Sequence, residues 1–256
     1  MKILNWLWDK FKYYVLGIGV TFAATMMFVS GGEIQQGSDL QKGLIGQWDL
    51  AQESLKSATV FADLTPYGND GTITAGTGGS TTDQKGQANR AYEFDGADTK
   101  IDTGTDMIGT GAASVSVWIY ANSYGSTNGR IIDNGQAIFA IYASSGGQFA
   151  FASAGATTAN SAVGVLTLNK WHHLVVTRTS TSPALTNLYI NGVQTGTPNS
   201  SSGNPTVGDN NLIIGNNDGQ TATFDGSISD VRIYNYVLSP TQIQQIYNRE
   251  YNRVAK

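Results

Sequence analysis

The sequence predicts an all-β fold: a two-sheet antiparallel β-sandwich with a short C-terminal helix, behind an N-terminal helix long enough to span a membrane. Three observations carry this. Short segments rich in Val, Ile, Tyr, Phe and Trp recur between clusters of Gly, Asn, Asp and Ser. A single segment near the C-terminus carries helix-start chemistry, and residues 13–32 run without a charge. The domains read from these patterns are a stub and hydrophobic helix at 1–32, a polar linker at 33–42, the sandwich at 43–248 and a tail at 249–256.

The N-terminal segment YYVLGIGVTFAATMMFVSGG is long enough to cross a hydrocarbon core of roughly 30 Å. Lys2, Lys10 and Lys12 precede it and Glu33 and Asp39 follow. That bias places the N-terminus in the cytoplasm and the body outside, with Trp6, Trp8, Tyr13 and Tyr14 as an interfacial belt. The expected location is therefore the cytoplasmic membrane, single-pass, with an extracytoplasmic C-terminal domain. The rival reading is a signal peptide cleaved near Gly31, which gives a secreted module. Gly17, Gly19, Ala23 and Ala24 also give the helix small surfaces, through which it could pair with copies of itself.

Strands are predicted at 43–50, 91–94, 100–102, 114–120, 137–142, 148–152, 171–178, 186–190, 212–214 and 227–234. Each is short, β-branched or aromatic, and bounded by turn residues. Asn191-Gly192 in LYINGVQ supplies two positive-φ residues for a type I′ hairpin, whose second strand reads as short and polar. In SVSVWIY, Val115, Val117 and Ile119 oppose Ser116, Trp118 and Tyr120, so both faces are partly apolar, and WHHLVVTR behaves alike. Such strands belong inside a stack. Ser239-Pro240-Thr241-Gln242 combines an N-cap, Pro at the first helical position and a capping-box Gln. It opens a helix to about Asn248 that sets Ile243 and Ile246 on the sandwich edge.

Composition excludes several functions. Net charge is −4 and only 13% of residues are charged, so the basic face that nucleic acid requires is absent. There is no cysteine, hence no disulfide, thiolate metal site or thiol nucleophile. The two histidines, His172 and His173, are strand neighbours that point to opposite faces.

The segments GLIGQWDL, DLTPYGNDGTI, AYEFDGADTKIDTG, SVSVWIYA, KWHHLVVTR, LYINGVQTG and FDGSISDVRIYNYVLSPTQIQQIYN follow one another from about Gly43 to Tyr247. In this order the chain resembles the concanavalin A-like lectin/glucanase superfamily, specifically its laminin-G-like modules. The resemblance implies a jelly roll of two curved sheets and a role in binding carbohydrate or protein at a cell surface. It also implies a structural Ca²⁺, for which Asp63, Asn69, Asp95 and Asp225 are the preferred ligands, since Ca²⁺ gathers oxygen donors from separate loops. The competing reading makes these residues turn-formers beside Gly68, Gly71, Gly96 and Gly226.

An enzyme is not expected. Retaining glycoside hydrolysis needs paired carboxylates about 5–5.5 Å apart. Of four glutamates, only Glu93 has an acidic neighbour on its own strand face, Asp95. Asp230 and Arg232 read as a same-face ion pair. Glycan binding calls for exposed aromatic rings. Tyr67 and Tyr124, in loops, are the expected ligand-binding residues, whereas Trp48, Trp118, Trp171, Tyr120, Tyr142, Phe149 and Phe151 read as core. The functional expectation is a membrane-anchored extracytoplasmic binding module. The alternative is a structural subunit assembled through its N-terminal helix.

Overall fold

The computed structural model of the chain describes residues 40–251, apart from 126–127, 136–139, 153–158, 182–183 and 201–209. The expected membrane-spanning segment 13–32 lies outside the described residues. Among the described residues, no helix is long and apolar enough to cross a membrane. The chain separates into two compact units, Met1–Lys42 and Gly43–Lys256, and the sheets and helix belong to the second.

Two antiparallel sheets form the sandwich. Sheet A contains β1 (Leu44–Trp48), β5 (Gly79–Thr81), β6 (Ala91–Asp95), β8 (Ala113–Ala121), β13 (Trp171–Arg178), β14 (Leu185–Ile190), β15 (Val193–Ser200) and β17 (Asp225–Tyr234). Its order is β15-β14-β13-β8-β17-β6-β5, with β1 pairing on β17. Sheet B contains β2 (Leu55–Ser57), β3 (Val60–Phe61), β4 (Gly71–Ala75), β7 (Lys100–Asp102), β9 (Arg130–Asp133), β10 (Ala140–Ser144), β11 (Gln148–Ala152), β12 (Ala159–Asn160) and β16 (Ile213–Ile214). They run in the order β12-β11-β10-β9-β16-β7-β4-β3-β2. One helix, α1 (Pro240–Tyr251), follows β17.

The alternation read from the sequence sets the core. Val115, Val117 and Ile119 of β8, Leu174 and Val176 of β13, Tyr92 and Phe94 of β6, and Ile228, Val231 and Ile233 of β17 face sheet B. Sheet B answers with Ile101, Ile132, Ile141, Phe149, Phe151 and Ile214. Phe149 and Phe151 are thus core, as expected, while the Tyr142 side chain lies outside what is described.

The second apolar face of β8 and β13 has its own cover. Tyr247 of α1 stacks on Trp118 (5.7 Å, 18°) and on His173 (6.0 Å, 27°), and Ile243 and Ile246 are fully buried. Tyr247 therefore brings α1 onto the outer face of sheet A rather than only to the sandwich edge, which is why those strands are apolar on both sides. Its capping box closes reciprocally: Gln242 N–H donates to Ser239 Oγ (3.3 Å), and Ser239 N–H donates to Gln242 Oε1 (2.9 Å).

The I′ hairpin forms with φ +50° at Asn191 and +79° at Gly192. Its second strand, β15, has eight residues rather than being short. It lies at the edge of sheet A, so backbone pairing with β14 sustains it without an apolar pattern. The strand expected at 137–142 is seen at Ala140–Ser144. β2, β3, β4, β5, β9 and β12 went unpredicted, because strands of two to five residues are too short to carry a period-2 signal.

Candidate functional site

Two structures cover parts of the outer face of sheet A. Helix α1 covers Trp118 and His173, and the loop between β5 and β6 reaches β17 where Ser229 Oγ donates to Gln84 Oε1 (2.7 Å). Between them runs a row whose ends are open: Trp171, Tyr120 and Glu93 are at least partly exposed, and Ser227 between them is buried, at 7% exposure. Trp171 pairs with Tyr120, Tyr120 with Ser227, and Ser227 with Glu93, so four side chains from β13, β8, β17 and β6 stand in line. At the usual strand spacing the row is roughly 14 Å long. The Trp171 and Tyr120 rings are half-exposed and mutually tilted, centroids 5.8 Å apart at 59°, and Glu93 is exposed.

Gly226 makes this row possible. Its φ is +146°, and a Cβ there would lie 2.1 Å from the Tyr120 carbonyl oxygen. Only glycine lets β17 pass so close to β8 at this point. Ser227, the next residue, then stands opposite Tyr120.

A second row lies beside the first. Asp225 stands opposite Asp95 across β17 and β6, and Asn122 Nδ2 donates to Asp225 Oδ1 (3.2 Å). Like charges directly opposite repel. Asp95 is held by its own loop: Oδ1 accepts N–H bonds from Ala97 (3.0 Å), Asp98 (3.2 Å) and Thr99 (3.2 Å), and Oδ2 accepts from Thr77 N–H (3.2 Å) and Thr77 Oγ1 (3.3 Å). Partial burial pushes its carboxyl upward, but the donors from Ala97, Thr77 and Thr99 outweigh this and hold it well below the usual carboxylate range.

The four expected calcium ligands do not converge. Asp63 and Asn69 sit in the loop between β3 and β4, whereas Asp95 and Asp225 lie on β6 and β17 of sheet A. Asp63 Oδ1 accepts from Gln47 N–H and Thr65 N–H (both 3.0 Å), and Oδ2 accepts from Thr65 Oγ1 (2.8 Å) and Asn69 N–H (3.0 Å). Four donors occupy its lone pairs. Among the described residues no group of three or more His, Asp or Glu side chains is placed to hold a metal. The hydrogen bonds of Asp63 and Asp95 are those of turn closure.

Of the expected ligand-binding residues, Tyr67 is 64% exposed in the same loop as Asp63. Tyr124 is half-buried against the core and donates its hydroxyl to the Leu166 carbonyl (3.1 Å), so it is a packing residue. Trp48 and Trp118 are buried as expected, but Trp171 and Tyr120 are half-exposed and form the aromatic part of the row. Periodicity could not separate them from core, because Trp118 on the same face is buried only by α1. His173 Nε2 lies 2.8 Å from Ser116 Oγ, but both residues are fully buried, so the pair has no access to a substrate.

Asp230 and Arg232 form the anticipated ion pair, with Nε to Oδ1 and Nη2 to Oδ2 both at 2.9 Å. The sequence carries a further signal here. Core residues of β17 fall at 228, 231 and 233, and the three-residue step marks a β-bulge, seen as a register shift between Ser229 and Arg232. Ser229 and Asp230 both line the pocket on the outer side of sheet A, and Asp230 adopts φ +47°.

A family model of the concanavalin A-like lectin/glucanases superfamily matches residues 95–244, more than half of the chain. The chain belongs to this superfamily. No curated protein matches it in sequence. Among solved structures it is similar to domain 4 of AbnA, a GH43 extracellular arabinanase from Geobacillus stearothermophilus, in complex with arabinotriose. Identity is 19%, TM-score 0.61, and 80% of this chain and 98% of that domain are covered. It is also similar to the botulinum neurotoxin serotype D binding domain (14% identity, TM-score 0.59, 83% of this chain and 52% of that one). A Trypanosoma rangeli sialidase is likewise similar (14%, TM-score 0.57, 82% and 33%). The chain spans about half of the neurotoxin binding domain and a third of the sialidase. At these identities the likeness is one of fold, a two-sheet β-sandwich.

Proposed function

We propose that this sandwich binds carbohydrate through the open row on sheet A, with Trp171 and Tyr120 as a stacking platform and the exposed Glu93 as a hydroxyl partner. The observation that carries the reading is the register: two half-exposed aromatic rings and an exposed carboxylate stand in line, with the buried Ser227 between Tyr120 and Glu93, beside α1 and the β5–β6 loop. Aromatic faces take the C–H surface of a sugar, and adjacent polar groups fix its hydroxyls. The partner is a glycan, free or carried on a surface protein. Residues 13–32 tether the module to the cytoplasmic membrane with the sandwich outside, or a cleavage near Gly31 releases it.

Binding suits this row better than hydrolysis. A glycosidase needs a carboxylic acid whose pKa is raised, beside a second carboxylate. The acid nearest Glu93 on its strand face is Asp95, whose carboxyl is held ionised by its loop.

The test is a glycan array followed by calorimetry with the full-length protein. Trp171→Ala is expected to weaken oligosaccharide binding at least about tenfold. It should lower Tm by only a few degrees, since the ring is half-exposed. Unchanged affinity in Trp171→Ala and Tyr120→Ala would refute the assignment.

A further inference from the structure

A cavity of about 180 Å³ lies apart from the open row, where β1, the β5–β6 loop and the bulge of β17 meet. Gln47, Asp49, Gln84, Gln87, Asp230 and Arg232 line it. Its floor is built rather than incidental. The bulge brings Asp230 to the pocket beside Ser229, and Asp230 holds a left-handed φ that a non-glycine residue adopts only against a steric cost. Both members of the Asp230–Arg232 pair are more than nine-tenths buried and line the cavity.

The charges around this cavity cancel. Asp49, Asp83 and Asp230 carry three negative charges, and Lys85, Arg90 and Arg232 carry three positive ones. Asp230 is paired with Arg232, and Arg90 with Glu53. Asp83 Oδ1 accepts N–H bonds from Lys85 (2.9 Å) and Gln87 (2.8 Å), and Asp49 Oδ1 accepts one from Ala51 (3.1 Å). An anion or a cation would meet no uncompensated partner. Gln47, half-buried, and Gln87, exposed at the rim, offer side-chain amides, each able to donate and accept. Leu64, 49% exposed, adds an apolar wall.

The geometry points to a second binding site in this cavity, for one neutral sugar ring with adjacent hydroxyls. Drug-sized ligands occupy roughly 300–1,000 Å³, so a cavity of 180 Å³ takes a single ring. A carboxylate accepts from one hydroxyl while the guanidinium beside it donates to the next oxygen, and charge-assisted bonds of this kind are the stronger ones. The inference rests on the proposed glycan-binding reading for its ligand class alone; its residues are separate from the open row.

The experiment is saturation-transfer NMR on the full-length protein with methyl glycosides of neutral pentoses and hexoses. Sodium galacturonate and sulfate serve as anionic probes. Variants are Gln47→Ala, Gln87→Ala, the paired Gln47→Ala/Gln87→Ala and Trp171→Ala, each checked for an unchanged melting profile. The expected result is saturable binding of at least one neutral glycoside, weakened at least about tenfold in the paired glutamine variant and unchanged in Trp171→Ala. Absence of saturable binding, tighter binding of galacturonate or sulfate, or indifference to the glutamine variants overturns the site. If oligosaccharides bind and Trp171→Ala alone abolishes that binding, the cavity fails while the open row stands. If neither monosaccharides nor oligosaccharides bind, both fail.

Discussion

The Asp230–Arg232 pair offers a quantitative test of how β17 is held. Their side chains are 9% and 10% exposed, and two parallel 2.9 Å contacts join them. Removing one partner of a buried pair leaves the other charge uncompensated, at a cost of about 3–5 kcal/mol. Asp230→Ala should therefore lower Tm by roughly 6–20 °C, taking about 2–4 °C per kcal/mol for a domain of this size. Asp230→Gly loses the same carboxylate but relieves the φ of +47°, and should recover about 1–2 kcal/mol of that loss. Asp230→Asn, which tolerates the left-handed conformation and keeps an acceptor, should fall between Asp230→Gly and the natural protein. In Asp230→Ala/Arg232→Met the cost should be less than the sum of the two single variants, with a coupling of about 1–3 kcal/mol. Urea unfolding of these four variants and of Arg232→Met alone measures this. If Asp230→Ala lies within about 1 kcal/mol of the natural protein, Arg232 is solvated by another route and the reasoning fails.

Three further outcomes are expected. Burial, partly opposed by the hydrogen bond with Thr167 and aided by Lys170, lowers the pKa of His172 in the fold. The unfolded chain then binds more protons below about pH 6.5, so stability should fall as pH drops through that value. His172→Gln should flatten the loss in urea midpoints compared at pH 5.5 and 7.5. At Gly226, alanine would place its Cβ 2.1 Å from the Tyr120 carbonyl oxygen, so Gly226→Ala should cost more than about 3 kcal/mol and lower Tm sharply in a thermal melt. Calcium should leave Tm within about 1 °C in calorimetry with calcium or chelator, because Asp63 and Asp95 already spend their lone pairs on loop donors; a larger rise would show a bound ion.

Much of the fold is legible in the sequence because the signals are local. Alternation sorted the residues of β8 and β13 into two face sets, Asn191-Gly192 set the hairpin turn, and Ser239 with Gln242 set the start of α1. Each depends on side chains within a few positions of one another. The turn-forming role of Asp63 and Asp95 was also visible beside their glycines. The same reading could not choose between turn and calcium, since both need oxygen donors on loops.

What the sequence by itself determined is therefore the sandwich, its core faces and its family membership. Tertiary structure decided which outward residues remain available. Trp118 and Trp171 occupy equivalent positions in the alternation of neighbouring strands, yet Tyr247 stacks on the first and leaves the second half-exposed. Likewise Gln84 closes over Ser229 from well over a hundred residues away, while Glu93, on the neighbouring strand, stays exposed. Exposure on the outer face is set by where a helix and a loop come to rest, and no period within a strand encodes that.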